Sequence, residues 1–143
     1  MERPNHLAFG GLLVSRLRAE LTDIRNIGQR GELDEVISGS GQGLPAIAVI
    51  YRGDLVRSGS EQAAGGTRIV QQWLVVVAVK VAGAPDRALL DAGDLLGRVR
   101  GAVLDWFPGH EPYGAIEAAT PPQALYLNGC GFFPLAFNVD FYA

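Results

Sequence analysis

The side chains best suited to catalysis are few and scattered in this sequence. It has one cysteine, Cys130, which lies between Gly129 and Gly131, and two histidines, His6 and His110. A cysteine thiol acts as a nucleophile when a base lies beside it, and nothing in the local sequence links Cys130 to either imidazole. We therefore predict no catalytic residue, an ordinary thiol in an exposed turn and two surface imidazoles.

Potential metal ligands are not grouped at ligand spacing either. His110 and Glu111 are adjacent, so their side chains point apart in most backbone conformations. Asp91 and Asp94 each have an arginine at salt-bridge spacing, which is typical of a solvated helix face. Because a metal site needs several ligands that converge on one point, the sequence predicts neither a metal site nor a cofactor.

The glycine-rich segments are similar to phosphate loops only in composition. Residues 39–43 precede a predicted strand, and residues 65–66 begin another one. Phosphate-binding loops instead follow a strand and open a helix. We interpret both segments as connections.

Three glycines inside a long predicted helix indicate a close contact. Gly93, Gly97 and Gly101 recur every four residues, on the same side as Leu90 and Leu104. Each glycine costs a helix roughly 1 kcal/mol relative to alanine, so three on one edge suggest that something packs closely there. Two partners remain open: the domain's own sheet or first helix, and a neighbouring subunit.

A long polar loop predicted over residues 52–68 is a second candidate contact surface. It contains glycines, serines and charges of both signs, and we take Arg52, Asp54, Arg57 and Arg68 as candidate subunit-interface residues. Mixed charge suits a polar interface between proteins better than a nucleic-acid groove. A solvated connection without a partner remains the alternative.

Composition limits the class of protein. The chain has 143 residues, 48% apolar and 19% charged, with a net charge of −3. We expect one domain with a real core, no strong nucleic-acid binding and, since no long apolar run or leader pattern occurs, no membrane association. Eleven of the twelve basic residues are arginine, with Lys80 the exception; codon bias explains this, and arginine contacts between subunits are the alternative.

Periodicity predicts an α+β domain. Helical spacing indicates helices over 7–21 and 85–107 and a turn of helix over 32–37. Apolar or alternating runs predict strands over 24–27, 45–51, 69–81, 115–120, 125–127 and 133–141. The run 69–81 is apolar on both faces, which is typical of a central strand, and Asn128–Gly129 predicts a hairpin. We expect a mixed, mainly antiparallel sheet of about four to five strands flanked by helices, with the last strand as a possible edge.

Several of these segments together resemble the tail terminator, or tail completion, proteins of Mu-like and related lambda-like long-tailed phages. They are PAIAVIYRGD at 45–54, QQWLVVVAVK at 71–80, DWFPG at 105–109 and FFPLAFNVDF at 132–141. The resemblance covers nearly the whole chain, and its segments are strands and helices without a catalytic signature.

The resemblance implies a structural virion protein and no enzyme. Members of that family form a ring, typically a hexamer, that caps the tail tube, ends its polymerisation and presents a surface for head joining. The implied partners are further copies of the chain, the tail tube protein and head–tail connector proteins, with DNA passing through the lumen unbound. The implied location is the tail or neck of a virion assembled in the host cytoplasm.

A ring with head-to-tail contacts needs two unlike surfaces on each subunit. The 52–68 segment is one candidate, and the last strand or the glycine edge is the other. Other classes of protein stay open: a different neck protein such as a head–tail connector, a small-molecule-binding α+β domain, or a hydrolase that uses Cys130.

Overall fold

The structure, a computed structural model, describes residues 5–38, 43–56, 68–106, 108 and 113–142, without the side chains of 33, 37, 38, 68 and 142. Its helices are α1 (Ala8–Glu20), α2 (Leu33–Ser38) and α3 (Pro85–Leu104). Its strands are β1 (Asn26–Arg30), β2 (Ala46–Val56), β3 (Arg68–Lys80), β4 (Tyr113–Ala119), β5 (Leu125–Leu127) and β6 (Cys130–Tyr142).

The described strands form one sheet in the order β1-β2-β3-β6-β4, and β5 pairs with β6. Only β1 and β2 are parallel, and the remaining pairs are antiparallel. The predicted α+β class with a mixed, mainly antiparallel sheet is confirmed, with six strands where four to five were expected. The predicted edge position of the last strand is wrong, because β6 pairs with β3 along one side and with β4 and β5 along the other.

The central position predicted for β3 is confirmed. Val75, Val76 and Val77 are each 0% exposed although they alternate between the two faces. One face carries the larger core, which includes Trp73, Val75 and Val77 and packs against α1 and α3. On the other face Leu74 and Val76 pack in a smaller cluster that α2 joins through Val36. Burial on both faces explains why this strand lacks polar alternation.

Helix α3 presents to the core most of the stripe that the helical spacing predicts. The spacing predicts that Leu89, Ala92, Leu96, Val99, Val103 and Trp106 share one stripe. Ala92, Val99 and Val103 are buried, and Leu96 and Trp106 are partly buried against the core. Leu89 is 45% exposed, so its predicted position is wrong. The helix also ends at Leu104, three residues before the predicted end.

Several arginines stabilise contacts within the chain. Arg16 donates from Nε to the carbonyl of Ala102 at 3.0 Å and so joins α1 to α3. Arg18 donates twice to the carbonyl of Ile27, at 2.7 and 3.1 Å, and so joins α1 to β1. Part of the arginine excess therefore serves the fold.

The predicted hairpin at Asn128–Gly129 is confirmed. Both residues have positive φ, 53° and 76°, as a two-residue turn between antiparallel strands requires. The exposed position expected for Cys130 is wrong: Cys130 starts β6 directly after the turn and is only 5% exposed in the second core cluster.

Candidate functional site

Three of the predicted interface residues, Arg52, Asp54 and Arg68, lie on strands and not in a loop. Arg52 and Asp54 belong to β2, which continues its pairing with β3 beyond a bulge between Tyr51 and Gly53. Arg52 is exposed. Arg57 lies outside the described residues, and Arg68 opens β3 with its backbone beside Tyr142.

Asp54 is held by two side chains of its own chain. The Tyr51 hydroxyl donates to Oδ1 at 2.5 Å, and His6 Nε2 lies 2.7 Å from Oδ2. Burial, and next the hydrogen bond and charge of Asp54, raise the pKa of Tyr51 to about 12. The Tyr51 phenol therefore stays protonated at neutral pH and acts as a structural donor. The side chains of Tyr51 and Asp54 meet beside the bulge that shifts the strand register after Tyr51.

The same end of the sheet binds the segment before α1. Gln71 is 0% exposed inside an apolar strand, and its Nε2 donates to the carbonyl of His6 at 2.5 Å. Its Oε1 accepts a bond of 3.1 Å from Trp73 Nε1, and the His6 ring meets the Phe141 ring edge-on at 4.8 Å. We call His6, Tyr51, Asp54 and Gln71 the polar cluster. Sequence reasoning missed it, and the polar pair 71–72 within a valine-rich strand was the available signal.

The predicted glycine edge of α3 faces away from the rest of the described molecule. A Cβ atom added at Gly93 or Gly97 meets nothing within 4 Å, and one at Gly101 meets only Asp105 Oδ2 at 4.0 Å. The alternative that these glycines pack on the domain's own sheet or first helix is therefore wrong. Leu90, on the same side, is 73% exposed. Contact with a neighbouring subunit stays a prediction.

Larger apolar side chains are exposed at both ends of the sheet. At the far end of β2, Leu55 is 47% and Val56 65% exposed. At the other end, Leu125, Tyr126 and Leu127 of β5 are 38%, 56% and 44% exposed. Contiguous exposed apolar surface marks contact sites on proteins more often than isolated side chains do.

Other kinds of site find little support in the described part of the chain. Within it, no group of three or more His, Cys, Asp or Glu residues is arranged to hold a metal ion. No helix there is long and apolar enough to cross a bilayer. His110 and Glu111, the adjacent pair considered above, lie outside the described residues.

Taken together, the described residues form an α+β domain with exposed apolar groups at both ends of its sheet. The chain belongs to the phage tail terminator family, since the family model described as Phage tail terminator protein matches residues 5–143. A search of curated proteins finds no match. Membership gives the chain a structural role in a phage tail, as a virion component that acts together with other tail or head components. The family is one of structural virion proteins and not of known enzymes.

Proposed function

We propose that this protein caps the phage tail tube as a ring, typically of six copies, that ends tube polymerisation and provides the surface for head joining. The observation that carries the proposal is the family match over residues 5–143. Tail tube protein and head–tail connector proteins are the proposed neighbours on the two sides of the ring, which forms in the host cytoplasm and stays in the neck of the virion.

The surface of the described residues supports such an assembly. The exposed apolar ends of the sheet differ in sequence and lie on different strands, as contacts between the unlike sides of successive subunits require. The outward face of α3, with Gly93, Gly97 and Leu90, is a further candidate contact, because its glycines would let another backbone approach closely.

The charge of the chain fits a ring through which DNA passes. Affinity for DNA grows with the number of phosphates that a protein neutralises, and this chain has a net charge of −3. A DNA-gripping ring would need a basic surplus. We therefore propose a lumen that lets DNA pass without specific binding.

Two measurements test the ring and its action. Native mass spectrometry and negative-stain images of the purified protein alone are expected to show six-membered rings. With polymerising tail tube protein, the images are expected to show rings seated on tube ends, and shorter tubes. The same tube protein without this chain is the control. Tubes that grow to the same length with and without the chain, with no density at their ends, would overturn the proposal. Binding to connector rings alone would instead favour a different neck protein.

The segment between β2 and β3 permits a second test. We propose that residues 58–66, which lie outside the described residues, take part in ring contacts. A chain that lacks these residues is expected to fold, with an unchanged far-ultraviolet circular dichroism spectrum, but to form fewer rings. Full ring formation and tube capping by the deletion variant would contradict this role.

A further inference from the structure

The two exposed apolar groups lie at opposite ends of the sheet. Leu55 and Val56, which we call the arm tip, pair with the start of β3, whereas β5 pairs with the start of β6, beside the end of β3. Because β3 has 13 residues, a rise of about 3.3 Å per residue separates the two groups by roughly 40 Å. The two groups therefore do not meet each other within one chain.

The end of the sheet at β5 contains a cleft that suits an apolar side chain. Its volume is about 420 Å³, and its walls include Val81, Ala82 and Pro85 after β3 and Tyr126 and Leu127 of β5. We call it the β5 cleft. No charged residue occurs between Glu117 and Asp140 in the sequence, so the β5 side of the cleft has no charge to attract a polar partner. Buried apolar surface is what such a cleft gains from an occupant.

Charge complementarity points to the arm tip of another copy as that occupant. Asp86 follows Pro85 at the rim of the cleft, is exposed, and makes no ion pair within the described part of the chain. Arg52 precedes Leu55 by three residues, is exposed and makes no ion pair with any described residue. In the sequence Asp54 directly precedes Leu55 and Arg57 directly follows Val56; Asp54 is already bound by Tyr51 and lies against His6, which leaves Arg52 as the described charge beside the arm tip that has no ion-pair partner among the described residues.

Two basic residues, Lys80 and Arg87, also lie near this end of the sheet. Arg87 directly follows Asp86 and is paired with Asp91 at 3.3 Å. Lys80 is exposed at the end of β3 and lines a separate pocket with Ala88 and Asp91 of α3. Neither basic residue lines the β5 cleft.

We propose that the arm tip of one copy enters the β5 cleft of the next copy, with Arg52 beside Asp86. This contact rests on the ring proposed above and specifies its subunit interface. Each copy gives an arm tip and receives another, which is a heterologous contact that closes into a ring when the rotation per subunit permits. It also uses one of the predicted interface residues, Arg52.

Cross-linking between two single-cysteine additions tests the contact directly. Chains with Leu55→Cys and chains with Leu127→Cys are purified separately, mixed and oxidised. The mixture is expected to form at least about tenfold more disulfide-linked dimer than either variant alone, because docking raises the local concentration of the two thiols. The native Cys130 is present in all samples, so the single variants account for its reactivity.

A charge exchange provides the second readout. Asp86→Arg and Arg52→Asp are each expected to lower the fraction of rings, and their 1:1 mixture restores part of it at contacts where the two reversed charges meet. Leu7→Asp is the matched control. The exposed fraction of Leu7 is 46%, similar to those of Leu55 and Leu127, and Leu7 belongs neither to the arm tip nor to the β5 cleft. Its ring fraction is expected to equal that of the parent chain.

The outcomes separate this contact from the function on which it rests. Equal cross-linking in the mixture and in the single variants overturns the contact, whether or not rings form. Rings and capped tubes without cross-linking in the mixture leave the proposed function intact and refute the interface. A cross-link in the mixture without capped tubes supports the contact and counts against tube termination.

Discussion

At the scale of single residues, Asp54 is an organiser of its own chain. The sequence predicts it as a subunit-interface residue; within its own chain it accepts a hydrogen bond from Tyr51 and lies against His6, 48 residues away in the sequence. A contact over that distance has no local signature, which is why the polar cluster was not predicted. The cluster fixes the segment before α1 at the point where β2 extends beyond the body of the sheet.

The phenol of Tyr51 gives the first testable prediction. In the parent chain, burial and the hydrogen bond to Asp54 raise its pKa to about 12. In Asp54→Asn the negative charge is gone but burial remains, so the pKa is expected to fall towards 10 without reaching it. Ultraviolet absorbance at high pH measures the shift, with Tyr51→Phe identifying the signal of this residue. An unchanged titration would show that burial alone sets the pKa.

Gly10 and Gly11 give a second prediction from neighbouring positions. A Cβ at Gly10 lies 2.9 Å from Cη2 of Trp73, a ring that is 1% exposed, whereas one at Gly11 has no neighbour nearer than 4.0 Å. Alanine favours a helix by up to about 1 kcal/mol over glycine, but forcing apart a packed core costs about 1–3 kcal/mol. We expect Gly10→Ala to lower the free energy of unfolding and Gly11→Ala to raise it.

Urea unfolding of the two variants beside the parent chain measures both changes. The bond from Trp73 to Gln71 and the rings around it hold the indole in place, so the Trp73 ring has little freedom to move aside. A stabilising Gly10→Ala would contradict the close approach of α1 to β3.

At the scale of elements, the sequence predicts features that local residue types determine, and it fails for features that depend on packing between distant segments. The hairpin at Asn128–Gly129 was predictable because only a few residue types tolerate its positive φ angles. The central position of β3 was predictable from its unbroken run of valines. The neighbours of β6 were not, since its alternation of apolar and polar residues fits an edge and an inner strand alike. The helical spacing of α3 predicted most of its buried face, including Ala92 and Val99, and was wrong at Leu89, which is exposed.

The contact between α3 and the connection after α1 gives a prediction on pH. Arg98 forms a two-bond pair with Asp23, and this hydrogen bond lowers the pKa of Asp23 from its ordinary value of 3.8. A carboxyl group whose pKa is lower in the folded state stabilises the fold above its unfolded pKa, and that contribution is lost as pH falls through the folded value. The effect of Asp23→Asn on stability is therefore expected at pH 7 and absent at the lowest pH at which the fold persists.

Chemical denaturation of both chains between pH 7 and pH 3 measures that difference. Because the pair is exposed to solvent, the difference at pH 7 is expected to be small and to shrink further in high salt. Asp91→Asn, whose partner Arg87 lies one turn before it on the same helix at 3.3 Å, is the matched control for a pair that joins no second element. A difference that grows on acidification would have the wrong sign for this contact.

At the scale of the whole molecule, folding and assembly place opposite demands on the outward face of α3. As an isolated helix surface it would be more stable with alanine, because the glycines at 93 and 97 have open space around them and each costs up to about 1 kcal/mol. Packing among the described residues does not require glycine at either position. The proposed contact of another subunit with this face explains why glycine occurs at positions 93 and 97.

The double variant Gly93→Ala, Gly97→Ala separates these two demands. Its free energy of unfolding as a single chain is expected to rise by roughly 1–2 kcal/mol, while its ring fraction in native mass spectrometry falls because the added methyl groups keep the neighbouring backbone away. Gly11→Ala is the matched control, because it makes the same chemical change in α1 and should raise stability without altering the ring fraction. If the double variant is more stable and still assembles and caps tubes as the parent does, α3 faces solvent in the ring, and the arm tip and the β5 cleft remain as the proposed subunit contact.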